Sequence, residues 1–133
     1  MPLPPALTLG PSKRLRHGED YRAVFDAKMR KSRGPLSGFS RPNGLARYRL
    51  GLAVGKSVGN AVERHRAKRL VREAFRQCQH ELPRADSGAY DLVVSVRGRC
   101  SATLADVQAA LTGLAALLHA EWQRRSDRHR GAP

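Results

Sequence analysis

GNAVERHRAKRLVREAFRQ, Gly59 to Gln77, is the stretch whose reading decides the fold. At about 100° per residue it resolves into two faces of one helix. Ala67, Leu70, Val71, Ala74, Phe75 and Cys78 share an apolar arc. Arg64, His65, Lys68, Arg69, Arg72 and Arg76 share the adjacent arc; Glu63, Arg66 and Glu73 fall elsewhere. An ordinary solvated face alternates acids with bases, because opposite charges at i,i+4 help and like charges hurt. Here Arg64, Lys68, Arg72 and Arg76 are like-charged neighbours at that spacing. The cost of that repulsion is recovered only against a polyanion, and guanidinium groups suit bidentate phosphate contacts.

Working outward, this helix starts at Gly59 or Asn60 and runs to about Glu81. Ahead of it, Leu45 to Val54 alternates, with Tyr48, Leu50, Leu52 and Val54 on one side and Arg47, Arg49, Gly51 and Ala53 on the other. That is a strand, and Leu36 to Arg41 is a second. Pro42-Asn43-Gly44 between them predicts a hairpin turn. Glu19 to Arg30 reads as a helix with its acids in the first turn, stopped by Gly34-Pro35. Behind the basic helix, Ala89 to Val96 is an apolar strand. Thr103 with Asp106 opens a last helix as a capping box, with Leu104, Val107, Leu111, Leu114 and Leu118 as its stripe. These elements predict one α+β domain, residues 13–123, with helices on a small sheet. The Pro-rich segment 1–12 and the basic segment 124–133 are expected to be disordered tails.

Length and charge bound the function. The 133 residues suit one core, and 41% hydrophobic content is enough to fill it. The net charge is +14, which points to nucleic acid as partner. A membrane is not expected, because no apolar run nears a spanning length and no signal-peptide pattern opens the chain. Two cysteines, Cys78 and Cys100, make neither a disulfide framework nor a zinc quartet, and fit free thiols in the cytoplasm. The five histidines lack metal-ligand spacing, and no nucleophile–base set stands out. Gly51 to Ser57 (GLAVGKS) is one residue short of a phosphate-binding loop. Lys56 remains as a cation at a strand end. Tyr21 and Phe25, one helical turn apart, and Phe39 are either core residues or stacking platforms for unpaired bases. Three functions fit this far: a subunit of an RNA enzyme, a non-enzymatic ribosomal or RNA-chaperone protein, or a DNA-binding regulator. The last is disfavoured because a strand, not a partner helix, precedes the basic helix.

GEDYRAVF, GLAVGKSVGNAVERHRAKRLVREAFR and AYDLVVSVR followed by a leucine-rich helix closely resemble the protein subunit of bacterial ribonuclease P, from about Arg14 to Trp122. The resemblance matches Lys56, Gly59–Val62, Arg64-His65-Arg66, Lys68-Arg69 and Arg72 to the family's RNA-binding segment, with His65 standing where the family has asparagine. An imidazole does not reproduce an amide's hydrogen-bond pair. The resemblance implies a subunit of a ribonucleoprotein endoribonuclease. It would bind the catalytic RNA subunit and the 5′ leader of precursor tRNA; the sequence itself makes no obligate protein partner evident. The hydrolysis and most of the Mg²⁺ would belong to the RNA. It also implies a four-stranded sheet with three helices and a left-handed strand–helix–strand crossover through the basic helix. It places Tyr21, Phe25 and Phe39 in a leader-binding cleft.

Overall fold

The computed structural model describes residues 13–98 and 102–131. The expected α+β architecture is present: α1 (Gly18–Asp26), β1 (Arg30–Arg33), β2 (Leu36–Pro42), β3 (Arg49–Leu52), a 3-10 turn (Lys56–Val58), α2 (Ala61–Cys78), β4 (Tyr90–Val96) and α3 (Leu104–Gly131). The four strands form one sheet in the order β1-β2-β4-β3. β4 is buried at six of its seven positions, which suits a central strand covered on both faces. Below it α2 and α3 pack a large core around Leu36, Leu50, Phe75, Leu92, Val94, Leu111 and Leu114. Above it α1 seals a smaller cluster of Leu15, Val24 and Val93.

Four expectations need correction. The first helix ends at Asp26, not Arg30. Lys28 adopts φ +55° and donates its N–H to the Phe25 carbonyl at 3.0 Å, which turns the chain into β1. β1 itself (RKSR) has no apolar alternation to announce it; it is a charged edge strand. Secondly, β2 and β3 do not form a hairpin. β4 lies between them, antiparallel to β2 and parallel to β3. Asn43 instead closes an Asx turn, its Oδ1 accepting from Leu45 N–H at 2.8 Å, while its Nδ2 donates to Asp91 Oδ1 at 3.0 Å. Thirdly, α3 continues to Gly131, so the segment expected as a tail from residue 124 is helical as far as it is described. Glu121 supports it, accepting from Arg124 Nε at 2.9 Å and lying 3.6 Å from Arg128. Fourthly, the long basic helix stops at Cys78, three residues before the expected end. The tail expected at 1–12 and Cys100 lie outside the described residues. Cys78 is a buried thiol whose pKa burial pushes up.

The parallel pair β3–β4 is joined through α2, which sets the basic helix beside the β3 edge of the sheet. The segment before α1 covers that edge: Leu15 N–H donates to the Leu50 carbonyl at 2.9 Å, and Arg14 bridges to Leu50.

Candidate nucleic-acid interface

α2 owes its start to a reciprocal cap. Asn60 Oδ1 accepts from Glu63 N–H at 2.9 Å, and Glu63 Oε1 accepts from Asn60 N–H at 3.2 Å. Gly59, at φ +140°, permits this geometry; a Cβ there would lie 2.6 Å from the Glu63 carboxyl carbon. The cap holds the one acid of the first turn at the helix end, away from the cationic ladder. Arg64 Nη1 donates to the Gly59 carbonyl at 3.1 Å.

The apolar arc of α2 is buried as expected, with Ala67, Val71, Ala74, Phe75 and Cys78 in the core and Leu70 at its edge. On the adjacent arc His65 and Arg69 are exposed, and Lys68 and Arg72 are half-buried. Arg66 is exposed off that arc, and Lys56 is exposed in the 3-10 turn before the helix. Arg76 departs from the expectation. It is bound to Glu73, Nε to Oε2 at 3.0 Å, so its charge is answered within the helix. Hydrogen bonds from Arg76 and then Gln77 push the Glu73 carboxyl down to about 2.

Lys68 and Arg72 converge with Tyr21, Arg14, Leu15, Leu50 and Leu52 on a cleft of about 180 Å³ at the β3 edge. Gly51 makes this possible: a Cβ at that position would lie 2.8 Å from the Tyr21 ring. The Tyr21 hydroxyl accepts Leu52 N–H at 3.2 Å, which fixes the ring against β3. Phe25 and Phe39 form an edge-to-face pair with centroids 4.9 Å apart. Phe25 is 39% exposed and Phe39 half-buried, so both rings retain accessible surface. The Arg30 guanidinium sits 5.9 Å from the Phe39 centroid.

The structure therefore brings Tyr21 to Lys68 and Arg72, pairs Phe25 with Phe39, and leaves Arg76 occupied. It adds Arg14 and Arg30, which the sequence reading missed. Arg30 faces Phe39 only because β1 pairs with β2 in that register. Arg14 carried no signal beyond general basicity. Among the described residues no group of three or more His, Cys, Asp or Glu side chains could hold a metal ion. The buried carboxylate Asp91 is already held by Arg49 and Asn43.

Fold and surface together define a small basic α+β protein in which Lys68 and Arg72 meet the Tyr21 ring at the β3 edge of the sheet. The Ribonuclease P family model matches residues 9–119, and the chain belongs to that family. It is 45% identical over 87 residues to the ribonuclease P protein component of Methylococcus capsulatus, covering 65% of this chain and 64% of that protein, just under two thirds of its length. The RNase P protein of Thermotoga maritima has the same fold, with a TM-score of 0.62 at 32% identity over 76% of this chain and 95% of the other. The Staphylococcus aureus RNase P protein shares the fold at 24% identity, with a TM-score of 0.62 over 79% and 94% of the two chains. No described helix is long and apolar enough to cross a membrane.

Proposed function

We propose that this chain is the protein subunit of ribonuclease P, binding the catalytic RNA and the 5′ leader of precursor tRNA so that the leader is removed at the mature 5′ end. The observation that carries this reading is the meeting of Lys68 and Arg72 with Tyr21 in one cleft. A single strand needs cations for its phosphates and ring faces for its bases, and both are offered side by side. Lys56, Arg64, Arg66 and Arg69, with His65 among them, extend the cationic surface along α2 and its approach. Phe25 and Phe39 supply further stacking surface beside Arg30.

In this reading the RNA subunit with its Mg²⁺ carries the hydrolysis. What the chain contributes is grip. Two RNAs repel each other, and a protein of net charge +14 placed between them screens that repulsion. Less Mg²⁺ is then needed to bring them together.

The test is reconstitution. The protein is mixed with ribonuclease P RNA and precursor tRNA at low Mg²⁺, and 5′ maturation is followed. Cleavage that the protein fails to enhance would overturn the assignment. So would cleavage at the mature 5′ end by homogeneous protein free of RNA, which would move the chemistry onto the protein.

A further inference from the structure

A wide cavity lies away from α1 and from the cationic arc of α2. It holds about 830 Å³, within the range of ligand sites, between the α2–β4 loop and the C-terminal part of α3. Arg84 contributes from the loop, Tyr90 from the start of β4, and His119, Trp122 and Arg125 from α3. Tyr90 belongs to the core face of the sheet, opposite the cluster that contains Tyr21 and Phe39. Trp122, Arg125 and their neighbours also lie beyond residue 119, where the family match ends.

The groups in this cavity are ordered but not used up. Tyr90 Oη and His119 Nδ1 are 2.8 Å apart, which orients the imidazole and leaves its Nε2 without a protein partner among the described residues. Trp122 Nε1 donates to Ser40 Oγ at 3.0 Å, which fixes the indole. The Arg125 guanidinium lies over that indole, its carbon 5.2 Å from the ring centroid. Glu121 engages Arg124 and Arg128 but not Arg125. Among the described residues neither Arg125 nor Arg84 has a carboxylate partner. One acid, Asp86, sits on the rim.

We propose that this cavity is a second RNA site, taking an unpaired nucleotide with its phosphate on Arg84 and Arg125 and its base against the Arg125–Trp122 pair. The chemistry matches part by part. Two unpaired guanidiniums suit a phosphodiester. An indole with a guanidinium over its ring suits a base face. His119 Nε2, donor or acceptor according to its tautomer, and the Asp86 carboxylate as acceptor can meet base edges. An acidic peptide would use the arginines and leave the indole and Asp86 without a role. The inference rests on the RNA-binding reading above but adds a contact on the opposite sheet face, separate from the leader cleft.

Trp122 is the only tryptophan in the chain, so its fluorescence reports this cavity. The full-length protein is titrated with a single-stranded RNA pentanucleotide and, separately, with a glutamate pentapeptide. RNA is expected to quench Trp122, and the pentapeptide is not. Arg84→Ala/Arg125→Ala is expected to weaken the quench roughly tenfold. Both arginines are exposed, so the fold should hold, and thermal unfolding of the variant checks this. Lys68→Ala/Arg72→Ala is expected to leave the quench in place while weakening binding to precursor tRNA. Absence of a quench in a protein that still binds precursor tRNA would overturn this site and leave the leader cleft standing. Equal quenching by the pentapeptide would overturn it in favour of an acidic protein partner. A quench lost with Lys68 and Arg72 but kept without Arg84 and Arg125 would return the signal to the leader cleft. Failure of the wild type to bind any RNA would sink the function reading as well.

Discussion

Arg49 holds both carboxylate oxygens of Asp91 across the parallel pair β3–β4, Nε to Oδ1 and Nη2 to Oδ2 each at 2.7 Å. Asp91 is fully buried and also accepts from Asn43, while Arg41 Nε lies 3.6 Å away, buried and without a hydrogen-bond partner. One carboxylate thus neutralises cations from both neighbouring strands. Asp91→Ala leaves Arg41 without its carboxylate and Arg49 with only Asp20, 3.9 Å away, and the expected loss is about 3–5 kcal/mol. Urea unfolding with an unchanged m-value measures it. A loss below about 1 kcal/mol would show that the sheet does not depend on this pair.

Lys68→Ala and Arg72→Ala should each lower the salt slope of RNA binding by about one unit, with the melting temperature nearly unchanged. Arg76→Ala should alter the slope far less, because Arg76 already answers Glu73. Equal effects at all three positions would mean that the Glu73–Arg76 pair opens when RNA binds.

The Glu73 carboxyl titrates at about 2, against 4.5 for a free one. A depressed pKa stabilises the folded state above the unfolded value, and that contribution is lost as pH falls from about 4.5 through 2. Glu73 is substantially exposed, so the effect is small, but its sign is fixed. Glu73→Gln should flatten this part of the pH–stability curve, read from urea midpoints. It should also release Arg76 and steepen the salt dependence of RNA binding. An unchanged curve between pH 4.5 and 2 would count against the pair.

A ring buried only in a core costs about 3–5 kcal/mol when removed. Phe25→Ala and Phe39→Ala should cost clearly less, since both rings keep exposed surface. They should instead weaken leader-bearing relative to mature tRNA by about 1–3 kcal/mol per lost stack. Tyr21→Ala also removes the partner of Leu52 N–H, so its loss of stability should be the largest of the three. Paired measurements of thermal unfolding and of substrate affinity in the reconstituted complex separate these effects. Unchanged leader preference in all three would return the rings to the core.

Gly59→Ala forces a side chain into φ +140° and against the Glu63 carboxylate. The cap of α2 should weaken, with a loss of about 1–3 kcal/mol seen in thermal unfolding. A neutral substitution would show that the helix start relaxes freely.

The sequence by itself determined that α2, β4 and α3 form and where the two helices begin, though not where those helices end. Their signals are local: Asn60 with Glu63 and Thr103 with Asp106 close their caps within four residues, and the apolar arcs repeat at the helical period. The cationic arc was legible for the same reason, since residues on one helix face are fixed by spacing alone. Only the tertiary structure decided the pairing order. A strand's period says which residues share a face but not which strand lies beside it, so the Pro42-Asn43-Gly44 turn suggested a hairpin that β4 displaced. β1 was silent because an edge strand of charged residues buries too little to leave a pattern. The joining of Tyr21 to Lys68 and Arg72 depended on that order. It takes β3 at the sheet edge, a glycine at position 51 and α2 crossing beside it, contacts between residues some fifty positions apart that no local period records.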